Sequence, residues 1–109
     1  MNWLQIASYF FGAGFLANAV PHFVGGVMGE SFQTPFAKPH GKGLSSSMVN
    51  VLWGSANFVF AYLLLLRVGR FDPRSIACIA PFAAGALFIS LFSAWNFGKF
   101  HGGNAPKRP

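Results

Sequence analysis

Charge is what this sequence lacks. Asp, Glu, Lys and Arg make up 9% of its 109 residues, against about 25% in an ordinary soluble domain. Only Glu30 and Asp72 are acidic. A water-soluble domain of this length exposes too much surface to leave it so nearly uncharged. Cysteine is almost absent too. Cys78 stands alone in an apolar run, so no internal disulfide forms, and with no base near it in sequence it reads as an inert buried thiol. Catalytic groups are equally scarce. There is no Ser–His–Asp spacing and no nucleophile elbow. The three histidines, His22, His40 and His101, form no H-x-x-x-H pair, which argues against a metal site. "HGKGLSSS" resembles a phosphate loop only superficially, because Phe36 stands where the first glycine is needed and Gly43 where Ser or Thr must follow the lysine.

What is present is hydrocarbon. Apolar residues make up 53% of the chain, with 14 Phe and 3 Trp. Disordered chains are poor in such residues, which excludes disorder. Three apolar runs, residues 3–29, 48–66 and 76–98, each reach the length of about 18 residues that marks a transmembrane helix. The expected fold is therefore all-α: an integral membrane protein with three spans, over about 3–29, 47–67 and 75–98. They form a single domain over 1–98, followed by a polar, basic, mobile tail over 99–109.

The first run would reach roughly 40 Å as one helix, against a hydrocarbon core of about 30 Å. Pro21 predicts a kink or break near Val20. "ANA" at residues 17–19 fits a signal-peptidase site, but "MNW" carries no basic residue and the apolar stretch continues beyond it, so a retained span is expected. Ser45, Ser46 or Ser47 is expected to cap the second helix, and Asp72, followed by Pro73, the third. Pro81 either bends the third helix or starts it. Two prolines and two glycines in residues 30–47 predict irregular backbone.

The net charge of +6 is not a nucleic-acid signature, because the basic residues sit between apolar runs and not in a stripe. Lipid headgroups and topology account for them. Arg67, Arg70 and Arg74 fall on one side of a three-span protein. Lys38, Lys42, Lys99, Lys107 and Arg108 fall on the other. The balance places the first loop and the C-terminal tail in the cytoplasm, and a bacterial inner membrane is the expected location.

The polar residues inside the spans gather in one leaflet. His22, Asn50 and Asn96 lie at the first-loop end, with Asn18, Asn57, Ser90 and Ser93 somewhat deeper. Gly14, Asn18 and His22 recur on one helical face, as do Asn50, Gly54, Asn57 and Ala61. One reading is a helix–helix interface, with small residues for close approach and amides for hydrogen bonds. The other is a polar pocket built from Asn18, His22, Asn50, Trp53, Asn57 and Asn96, in which His22 titrates. Trp53 packs between helices or against lipid, or stacks on a ligand ring. Trp3 and Trp95 suit the interfacial belt. Lys38, His40 and Lys42, in "PFAKPHG", are either a plain connecting loop or a contact for headgroups or a partner.

"NAVPHF" at 18–23, "TPFAKPHGKGLSS" at 34–46 and "NVLWGSANF" at 50–58 resemble a group of small, largely uncharacterised proteobacterial multi-span membrane proteins. Size, span count and basic tail are similar to those of the W-type accessory proteins of purple-bacterial core light-harvesting complexes. Those proteins interrupt the ring around the reaction centre and leave a passage for quinone. This second resemblance carries over no individual residue. It implies an accessory or scaffold subunit packed against other transmembrane helices, as hetero- or homo-oligomer. The polar cluster implies instead a binder or carrier of a lipid-phase molecule such as quinone or a bound lipid. A membrane enzyme using His22 or Glu30 is a third reading. No obligatory cofactor, metal or nucleic-acid partner is expected.

Overall fold

Asn2 precedes the first apolar residue and caps it. In the computed structural model, which describes residues 1–107, the Asn2 carboxamide accepts from Gln5 N and the Gln5 side chain accepts from Asn2 N. This reciprocal box satisfies two donors that a helix start otherwise leaves open, and it begins α1, Trp3–Val27. The helix runs through Pro21 without the break expected near Val20. It ends where Gly29, at φ +80°, takes a left-handed turn.

The first loop is more ordered than its prolines suggest. Phe32–Gln33 (β1) pairs antiparallel with Leu44–Ser45 (β2), Phe32 opposite Ser45. Gly43 permits the tight return between them, since a Cβ there would collide with the Lys38 carbonyl. Ser46 caps α2, Ser47–Tyr62, by accepting from Val49 N at 3.2 Å. The helix continues as a π-helical stretch, Leu63–Val68. Asp72 does not cap the third helix. Its carboxylate accepts from Arg74 N in a local turn, and Ser75 takes the cap position without a side-chain bond. The helix α3, Ile76–His101, thus begins three residues later than Pro73 suggests, and Pro81 lies inside it. Lys99, Phe100 and His101 finish this helix and are not tail. Beyond it, the Asn104 amide donates back to Trp95 O at 2.8 Å. Arg108, counted in the charge balance, lies outside the described residues.

Each helix is long and apolar enough to cross a membrane: Trp3–Val27, Ser47–Val68 and Ile76–His101. They do not form a closed triangle. α1 is central and packs on both neighbours, while α2 and α3 do not pack closely on each other. Glycines make the two contacts close. A Cβ on Gly54 of α2 would lie 2.7 Å from Phe23 N, and one on Gly85 of α3 would run into the Phe10 carbonyl. At the end away from the hairpin, Tyr9, Ala61, Leu65 and Cys78 form a small buried cluster with Phe71 and Phe82 against it. There the Tyr9 hydroxyl donates to Gly69 O and fastens the α2–α3 turn to α1. The outward surfaces are apolar, including Leu87, Phe88, Leu91, Phe92 and Trp95 on α3.

Candidate functional site

The polar stripe of α2 is its buried face: Asn50, Gly54, Asn57 and Ala61 are the buried residues of that helix. Asn50 is fully buried. Its amide nitrogen lies 3.2 Å from Phe32 O, 3.2 Å from Ser45 O and 3.0 Å from Ser46 O. Three carbonyls on one side fix that atom as the nitrogen, because an oxygen there could bond none of them. Asn50 Oδ1 therefore faces α1, where His22 Nδ1 lies 2.8 Å away. A carboxamide oxygen only accepts, so His22 Nδ1 donates. The neutral imidazole then carries its lone pair on Nε2.

Nε2 has no hydrogen-bond partner among the described residues, although His22 is only 2% exposed. Among those residues no fully buried side-chain nitrogen or oxygen lacks a partner. Nε2 must therefore reach open space, and the space His22 lines is a cavity of about 260 Å³. Phe32, Trp53 and Phe97 stand edge-on to the imidazole at 5.2, 6.4 and 6.0 Å between centroids.

A second relay runs one turn deeper. The Asn57 amide donates to Trp53 O at 2.8 Å, and Asn57 Oδ1 accepts from the Asn18 amide at 3.1 Å. This leaves Asn18 Oδ1 without a partner among the described residues, on a side chain that also lines the cavity. Both relays join α1 to α2, so the interface reading and the pocket reading are two ends of the same hydrogen bonds.

The helices contribute Asn18, His22, Trp53, Asn96 and Phe97 to the cavity, and the hairpin closes it with Gln33, Thr34, Pro35 and Gly41. The hairpin is tied to α3 by two contacts and braced within itself by a third. Gln33 Oε1 accepts from His101 Nε2 at 2.8 Å. The His101 ring stacks on Phe32, with centroids 4.9 Å apart. The Thr34 hydroxyl bonds the Ser45 hydroxyl and accepts from Phe36 N.

Of the residues singled out from sequence, Asn18, His22, Trp53 and Asn96 meet at the cavity, while Asn50 and Asn57 stand behind and orient them. Ser90 and Ser93 do not join them; they line a separate, mostly apolar cleft between α1 and α3. Lys38, His40 and Lys42 are exposed on the hairpin and Glu30 is exposed at its base, all apart from the cavity lining. Sequence reasoning missed Gln33, Thr34 and His101. The available signal was a Gln-Thr pair following an apolar residue in a short extended segment. Among the described residues, no Asp, Glu, Lys or Arg lines the cavity. It can hold a neutral polar group through hydrogen bonds, with His22 Nε2 as its one basic atom. No protein-family model, curated protein or solved structure matches this chain.

Proposed function

We propose that this chain is a non-catalytic integral membrane protein that binds or carries a lipid-phase small molecule, its polar head held in the cavity at His22. The supporting observation is the pair of relays. A buried imidazole and a carboxamide are each oriented from behind by an asparagine, and both side chains line one cavity. Polar groups inside a span are expensive there and tend to mark function. A quinone or a lipid is among the occupants this reading admits. The hairpin and the C-terminal tail face the cytoplasm of a bacterial inner membrane in this proposal, following the lysine distribution. A bend at Pro21, next to His22, would set the width of the cavity mouth.

The test is purification from native membrane in mild detergent, followed by extraction and mass-spectrometric identification of co-purifying small molecules. The paired substitution His22→Ala with Asn57→Ala is expected to lose the bound species and keep the same assembly size. Equal retention with unchanged assembly would remove the reading.

A second reading, an accessory or scaffold subunit of a larger membrane complex, is supported by the outer face of α3. Leu87, Phe88, Leu91, Phe92 and Trp95 form one exposed apolar stripe there, suited to partner helices as well as to lipid tails. Native electrophoresis in mild detergent should then show a hetero- or homo-oligomer. A lone monodisperse monomer would count against it.

A further inference from the structure

We infer that the cavity selects a neutral amphiphile whose head bears a hydroxyl group, a phenol or alcohol, over one whose head only accepts hydrogen bonds or carries negative charge. This inference rests on the binding reading above and narrows it. The two acceptors at the cavity are fixed by the chain. In the neutral imidazole His22 Nε2 carries the lone pair, because Nδ1 donates to Asn50 Oδ1, and Asn50 cannot turn because its amide nitrogen faces three carbonyls. Asn18 Oδ1 is free because its amide is committed to Asn57. A buried acceptor left without a donor is destabilising, so the best occupant brings a proton of its own. The remaining polar wall carries donors: Asn96 and Trp53 also line the cavity, and a carboxamide NH2 and an indole N–H are the groups that would meet the oxygen of a hydroxyl. An ether, ester or quinone carbonyl satisfies only that second side. A carboxylate or phosphate would meet two lone pairs and no fixed cation.

The chain of such an amphiphile also has a place. Phe11, Phe15, Asn18 and His22 lie on one face of α1. Phe11, Phe15 and Asn18 line an apolar hollow of about 150 Å³, floored by Gly14 and walled by Ile89 of α3. Asn18 lines both hollow and cavity, and Phe11 is 59% exposed, so the hollow opens outward. A head at His22 therefore directs its alkyl chain along α1, past Asn18 and over Phe15.

The test uses the full chain in nanodiscs and three radiolabelled probes of matched length: 4-nonylphenol, its methyl ether, and a saturated fatty acid as carboxylate at pH 8. Saturable binding is read by scintillation proximity. The phenol is expected to bind about tenfold more tightly than the ether, with the carboxylate weaker still. His22→Phe, which keeps a ring and removes both nitrogens, should shrink the phenol–ether difference severalfold, Asn18 Oδ1 being left as the remaining acceptor. The wild-type comparison stands even where this variant fails to fold. Ether binding as tight as phenol, or carboxylate binding tighter than either, overturns the hydroxyl inference and leaves cavity binding intact. No saturable binding by any of the three overturns both.

Discussion

Asn50 Oδ1 accepts from His22 Nδ1 at 2.8 Å, while the other end of the same carboxamide reaches the backbone of the hairpin and the helix cap. One fully buried side chain thus joins α1, the start of α2 and both strands. Asn50→Leu leaves three carbonyls and an imidazole nitrogen to find other partners. The expected loss is about 2–3 kcal/mol of stability, read by reversible unfolding in mixed micelles. A loss below that of Asn18→Ala would mean that Asn50 is not the junction described.

The same relay sets a spectroscopic outcome. Nitrogen-15 shifts of His22 in the neutral state should show Nδ1 protonated and Nε2 bare. The opposite tautomer, which is the commoner one in free histidine side chains, would contradict the Asn50 geometry directly.

Asn18 and Asn57 form a simple cross-helix pair at 3.1 Å. A double-mutant cycle with Asn18→Ala and Asn57→Ala should give a coupling energy of about 0.6 to 2 kcal/mol. Additivity of the two substitutions would show that the bond contributes nothing to α1–α2 association.

Gly85 and Gly25 should behave in opposite ways. A Cβ at Gly85 meets the Phe10 backbone, whereas one at Gly25 meets open space. Gly85→Ala is expected to weaken α1–α3 packing by about 1–3 kcal/mol. Gly25→Ala is expected to be neutral or to stabilise α1 by up to about 1 kcal/mol. Paired thermal inactivation curves in one detergent check both.

His101→Ala removes the ring that holds Gln33 and stacks on Phe32. Amide exchange over residues 32–45 should then quicken, with α2 unaffected. Uniform acceleration along the chain would show that this clasp supports the whole bundle and not the hairpin alone.

Much of this was legible in the residues. Run length gave three helices because hydrocarbon thickness sets a minimum, and Asn50, Gly54, Asn57 and Ala61 revealed a buried face because helix period groups them. His22, Asn50 and Asn96, with Asn18 somewhat deeper, could be brought to one leaflet by counting along antiparallel spans. Counting could not say which helices touch. Ser90 and Ser93 share the depth of the cluster but point into another cleft, because α1 occupies the centre and α3 meets it on a different face. Gly14, although on the stripe of Asn18, packs on Ile89 of α3. The hairpin was hidden because its ladder is two residues long on each side and owes its position to Asn50 and His101, which lie outside it. Asp72 misled because a carboxylate before a proline suits a turn as well as a cap. Proline at residue 21 suggested a kink or a break, and of the two the break is absent, since the helix continues through it.

The central position of α1 bears on how the chain is made. Every bond of both relays lies within the first 68 residues, so an α1–α2 pair has its amides and its imidazole Nδ1 matched before the last helix leaves the ribosome. Among the described residues, Gln33 waits for His101. The third helix therefore joins an α1–α2 pair whose two relays are already formed, and its arrival adds Asn96 and Phe97 to the wall of the cavity.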